Sequence, residues 1–476
     1  MIDVQPKIHD KFTLELKVGF HSLQQEPVSN FEVNIWTCLP ESLDINPSKY
    51  SKSDFYRDIK TNLRLITPTY SLDDLANDEN NTPIAELHKS ISQLHKSTDT
   101  ASTARFCHNA KMYAAIAKSA FRNGLNDLMN GQPTSDAFRQ YARNAINTLS
   151  NFRNVHNSIN DMPDEITTTF SLCDEFLSNL YEQYVFKAYN TDAVKNDTEV
   201  SEWMRWTLEN ELEYKKRNGY LSVEKRNSDG NTSFIRRAGQ LKKYVEGELY
   251  LKANKMSNTF MTEQIVFGIA AILAMLASTL LTYYFSDRLT NFTLPFIIAI
   301  VLIYALKDRI KDWVKYFYSN HLKKYFFDSR IWLQQKGEPL GLLKEGFLFV
   351  RNSKAHQEIG HLLHRDKLAH DVADRNEKIM LYRQHIRLFK NRWTRNSPYP
   401  FVGINEIIGY NINSWTRKMD NPEMPLSVFD DKNGNTVVGE KNYRIDFVIE
   451  CSFEGQTEYK PFTLVCNRDG IKGIEA

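Results

Sequence analysis

Histidines gather once in this chain. His356, His361, His364 and His370 stand among Glu358, Asp366, Asp371 and Asp374. His361 and His364 are three positions apart, so on a helix both imidazoles face one side and, with Asp366 and His370, offer a candidate divalent-metal ligand set. The chemistry would be that of a metal-dependent hydrolase, in which the ion activates water. Its helical signature is H-E-x-x-H. Here His356-Gln357-Glu358-Ile359-Gly360-His361 is one position too long, and Gly360 weakens the helix that must carry it. The alternative is a solvated polar segment with ordinary histidines, and no cofactor is expected.

Other chemical patterns fail on single residues. Gly341 and Gly346 have the glycine spacing of a phosphate loop, but Phe347 and Leu348 stand where an ammonium and a hydroxyl are needed, and the stretch reads as a strand. No G-x-S-x-G elbow occurs, and the five cysteines are dispersed without a C-x-x-C pair, which reads as buried thiols in a reducing compartment. His385, Arg387, Phe389, Lys390, Arg392, Trp393 and Arg395 interleave basic and aromatic groups as single-stranded nucleic-acid sites do. A charged strand face or contact with anionic lipid explains them as well, and no nucleic-acid partner is expected.

The elements that must carry any site are organised around an apolar centre, residues 264–306. Residues 265–285 and 289–306 contain no charged side chain, and only Ser286, Asp287 and Arg288 separate them. At ~1.5 Å per residue against a hydrocarbon core ~30 Å thick, the first run spans and the second spans narrowly. The expectation is a two-pass transmembrane hairpin. Ala270, Ala274, Ser278 and Thr282 recur every fourth position and lay a small-residue strip for close helix packing, within the hairpin or between copies. Neither run holds an ionisable group, which argues against transport, although an oligomeric pore lined by hydroxyls remains a rival. Lys307, Arg309 and Lys311, followed by Trp313, Tyr316 and Tyr318, have the composition of a membrane interface. Basic residues flank both runs, so both arms are expected in the cytoplasm. The absence of an apolar leader near Met1 suits a bacterial inner membrane.

Periodicity divides the arms. Residues 1–70 read as a small β/α segment, with alternation over 12–20 and 31–39 and a helix capped by Ser53 that aligns Phe55, Ile59 and Leu63. Residues 71–218 carry apolar stripes at steps of three and four, the mark of an antiparallel, coiled-coil-like helical bundle. Residues 219–263 read as a small hairpin about Asn227-Ser228-Asp229-Gly230-Asn231 and a juxtamembrane helix. Residues 307–328 continue as an amphipathic helix, and residues 329–476 as an antiparallel β-rich domain that the first strands could join. The fold class expected is an α+β integral membrane protein. At 476 residues and a net charge of +2, composition selects no charged partner. The function expected is a membrane-anchored interaction, scaffold or sensor protein. Its partners would be the lipid bilayer and a protein or a second copy of itself.

Overall fold

Alternation of apolar and polar residues marks β-strands such as Thr13–His21 and the start of Tyr443–Phe453, and the computed structural model places the strands in order. It describes residues 2–22, 27–77, 82–131, 133–159, 161–257, 259–288, 293–318, 326–335, 337–362, 377–395, 397–430 and 433–475. The fold is α+β with large antiparallel sheets. The chain divides into two compact units, one of Met1–Leu63, Leu251–Trp393 and Gly403–Ala476, the other of Arg64–Tyr250 and Thr394–Val402.

The strands are β1 (Ile2–Asp10), β2 (Thr13–His21), β3 (Val28–Leu39), β4 (Ile59–Leu65), β5 (Lys252–Ser257), β6 (Ser329–Gln335) and β7 (Glu338–Val350). They continue with β8 (Lys378–Phe389), β9 (Gly403–Asn411), β10 (Glu423–Asp430), β11 (Asn433–Glu440), β12 (Tyr443–Phe453), β13 (Gln456–Asn467) and β14 (Gly470–Glu475). An eight-stranded sheet runs β14-β13-β12-β3-β8-β7-β6-β5, a four-stranded sheet runs β1-β2-β9-β4, and β10-β11 form a ribbon. The first strands are therefore not an appendage: β3 lies between β12 and β8, with Trp36 opposite both Val448 and Leu381. The two main sheets face each other through edge-on rings, Phe20 on Phe31 at 5.4 Å and Tyr410 on Phe447 at 5.9 Å. Each such side chain, fully buried, contributes ~1.5–3 kcal/mol. On the outer face of the larger sheet, Ala355 and Ile359 of the helix Asn352–Ile359 cover Trp36, Cys38, Ile379 and Val448.

Two glycines are fixed by neighbouring backbone. Gly341 lies inside β7, where a Cβ would stand 2.9 Å from the Arg387 carbonyl oxygen of β8. This requires glycine at the first position of a stretch that only mimics a phosphate loop. Gly470 has φ +133°, and a Cβ there would meet the Lys11 carbonyl oxygen at 2.3 Å.

Two local expectations change. The helix after Tyr50 is Lys52–Asp58, capped by Ser51 in a box with Asp54 rather than by Ser53. It ends before Ile59, because Ile59, Leu63 and Leu65 lie on one side of strand β4. The turn-like Asn227 segment is the start of a helix, Ser228–Glu246, whose first turn Asn227 caps by accepting from the Gly230 N–H at 2.8 Å. Asn and Asp serve turns and caps by the same side-chain bond, so composition does not separate the two.

The second unit is helical. Pro83–Leu94, Thr100–Met129, Ser135–Asn154, Asp164–Tyr189, Thr198–Arg217 and Ser228–Glu246 bury the stripes read from spacing, including Phe106, Ala110, Tyr113, Leu149, Phe152 and Leu177. At its centre Arg153 donates to Asp174 at 2.8 Å and, two-pronged, to Glu211 at 2.9 and 2.7 Å. Tyr214 and Tyr220 add hydroxyl donors to Asp174, each at 2.9 Å.

Two antiparallel helices, Thr259–Arg288 and Leu294–Phe317, follow β5 and precede β6. Ser257 pairs with Ser329, so the chain leaves and re-enters the sheet at adjacent positions. Only one described helix is long and apolar enough to cross a membrane, over Glu263–Asp287 with mean hydropathy 2.3. The second helix starts at Leu294, with Pro295 in its first turn, and reaches Lys307 after roughly 20 Å of apolar length. That apolar part is shorter than the run of uncharged residues, 289–306, that precedes Lys307 in the sequence.

Candidate functional site

Between the sheets lies a buried polar centre that hydropathy patterning conceals. Glu406 occupies an inward position of β9 between Ile404 and Ile408 and is fully buried. Gln384 of β8 donates its amide to Glu406 Oε1 at 2.7 Å and to the Tyr382 hydroxyl oxygen at 3.0 Å. The Tyr382 hydroxyl in turn donates to Glu345 Oε2 of β7 at 2.7 Å. Register makes this line: Glu345 is the cross-strand partner of Gln384, and Phe347 that of Tyr382. Glu345 Oε1 carries an ion pair to Lys255 of β5 at 2.5 Å. A connected polar path thus runs from the inter-sheet core to a half-exposed lysine two residues before the strand gives way to the apolar hairpin.

The returning chain is clamped beside it. Asp328 accepts from Lys52 Nζ at 2.5 Å, from the Tyr56 hydroxyl at 3.0 Å and from the Phe347 N–H at 2.8 Å. The Lys255 ammonium lies 4.6 Å over the Tyr56 ring. Burial pushes the Glu406 carboxyl up to about 8, with the Glu345 charge adding to it. Burial likewise raises the Tyr382 hydroxyl, and the same desolvation lowers the Arg383 guanidinium. Glu406 is therefore protonated at neutral pH. Its Oε2, the Gln384 Oε1 and the Tyr410 hydroxyl have no hydrogen-bond partner among the described residues. Chemically, the centre can take up or release one proton and pass polarisation along the Gln384–Tyr382–Glu345 line.

The residues singled out by spacing fall elsewhere. His361 is exposed on a single turn, Gly360–Leu362, while His364, Asp366 and His370 lie outside the described residues. Among the described residues no group of His, Cys, Asp and Glu is placed to hold a metal. Ala270 and Ala274 are buried in the hairpin, whereas Ser278 and Thr282 line a groove of about 490 Å³ that the second helix leaves open. Trp313 and Tyr316 are exposed, Arg309 is exposed, and Lys307 and Lys311 are half-buried. Tyr318 turns inward, its ring 6.4 Å from Phe267. Of the basic stretch, His385, Arg387 and Phe389 lie on β8, an inner strand of the large sheet, and Lys390, Arg392, Trp393 and Arg395 lie on the short helix Lys390–Arg395 that follows it.

The helical unit has a cavity of about 540 Å³ whose wall includes Asp73, Asn123, Asp127, Gln140, Tyr141 and Asn144. Amides and two carboxylates against a tyrosine ring suit a small solute with a donor or cationic group. Sequence reading missed both this cavity and the Glu406 centre. Glu406 did leave a trace, as a charge at an inward position of an alternating strand. No protein family, curated protein or solved structure matches the chain.

Proposed function

We propose that this protein is held at a lipid bilayer by its helical hairpin and works there as an interaction, scaffold or sensor protein. The observation that supports this reading is the exposure of the hairpin's apolar side chains. Ile265, Ile272, Met275, Leu280 and Tyr283 are each 60–77% exposed, and only 11% of the most apolar window of the first helix is buried. Soluble monomers rarely expose contiguous apolar patches beyond a few hundred Å². A lipid phase removes that cost, whereas a soluble core helix would have been covered by the rest of the chain.

The pairing of Ser257 with Ser329 supports a placement of both arms on the same side of such a bilayer. The basic residues on either flank favour the cytoplasmic side. A sensing role would use the cavity of the helical unit as the place for a small ligand. Fractionation tests the anchor. The full chain is expected in the membrane pellet after alkaline wash and in solution only with detergent. Recovery of the folded protein from the soluble fraction without detergent would refute the reading.

A further inference from the structure

The two helices of the hairpin do not match in polarity at the same level. Lys315 Nζ lies 5.2 Å over the Phe267 ring, and the Tyr318 ring is 6.4 Å from it. Lys307 lines the same groove as Met275 and Ser278. Asp308, Arg309, Lys311 and Asp312 therefore stand abreast of the stretch from Phe267 to Met275, the root-side half of the first helix's apolar run. An upright hairpin with the first helix spanning the bilayer would hold these charges deep in hydrocarbon, where charged side chains are strongly disfavoured. Submerging only the part beyond Lys307 would leave Ile265, Ile269 and Ile272 in water, although they are 50–65% exposed.

One arrangement satisfies both helices. Ile265, Ile269, Ile272, Leu276, Leu280 and Tyr283 form one continuous exposed stripe along the first helix. The opposite side buries Ala270 and Ala274. The first helix thus offers lipid an apolar face over its whole length, and the root half of the second helix is charged.

Resting on the bilayer reading above, we infer that the hairpin lies obliquely in a single leaflet. The outer stripe of the first helix faces acyl chains, and the charged half of the second helix faces the headgroups. Lys307, Arg309, Lys311 and Lys315 outnumber Asp308 and Asp312 there, which fits a leaflet with anionic phospholipid. Asp287, exposed near the far end, stays at the headgroup level of the same leaflet when the hairpin is oblique.

The five native cysteines are buried, so an added cysteine reports its own exposure. Ser286→Cys and Asp312→Cys in the full chain are treated with a membrane-impermeant maleimide from each side of sealed membrane vesicles. Asp312→Cys is expected to label from the side of the arms without detergent, and Ser286→Cys never from the opposite side. Labelling of Ser286→Cys from the opposite side, or protection of Asp312→Cys until detergent is added, would overturn oblique insertion. Absence of the chain from the vesicles would instead defeat the bilayer reading itself.

Discussion

Glu406 stands where β9 would otherwise place an aliphatic residue, and its proton follows from that. A carboxyl whose folded value is about 8 binds its proton more tightly in the folded than in the unfolded chain. Its contribution to stability is fully present below the unfolded value and is lost as pH rises through about 8. Glu406→Gln keeps the shape and the neutral form. The stability of the wild type relative to this variant is expected to fall by about 1.4 kcal/mol per pH unit between about pH 5 and pH 8. Urea unfolding at several pH values measures it, and parallel curves would show that Glu406 is ionised throughout. Arg153 is the counterpart in the helical unit. Arg153→Met leaves Asp174 and Glu211 buried without their cation, and a loss of about 3–5 kcal/mol is expected in chemical denaturation followed by helical circular dichroism.

At the scale of elements, both long excursions from the β framework begin and end on hydrogen-bonded neighbours. The Leu251 N–H donates to the Leu63 carbonyl at 3.0 Å across the helical insertion, and Ser257 faces Ser329 across the apolar hairpin. Closing a short turn in place of the apolar hairpin keeps every pairing of β5 with β6. Replacing residues 258–327 by Asn-Gly is therefore expected to give a three-residue connection through Asp328 and a water-soluble protein. Its circular dichroism should retain both strand and helix signals. Aggregation of this variant with loss of the strand signal would mean that the hairpin also supports the sheet edge. Lys255, Asp328 and Glu345 stand at that root, where the polar line to Glu406 begins.

At the scale of the molecule, contacts of very different sequence separation coexist. The helical unit joins neighbours in the chain, whereas β3 must find β8 and β12, as in the pairing of Trp36 with Leu381 and Val448. Loop closure over such distances slows folding. In the hairpin-deleted variant, helical signal is expected to return in an early phase and the burial of Trp36 and Trp415 in a later one. Stopped-flow circular dichroism and tryptophan fluorescence would separate them; a single shared phase would show that the two units fold together.

Local spacing alone established the helical stripes, the alternation of Tyr443, Ile445, Phe447 and Ile449, and the presence of an apolar helix over residues 265–285. Each of these depends on a periodicity of 3.6 or 2 that the chain carries with it. It misread Ile59 and Asn227, whose residue types serve two structures equally. Only the tertiary structure decided that β3 is an inner strand and that Glu406, Gln384, Tyr382 and Glu345 form one line. It also set the charged half of the second helix beside the apolar half of the first. These are pairings between distant segments, and their register is fixed by packing rather than by any neighbour in sequence.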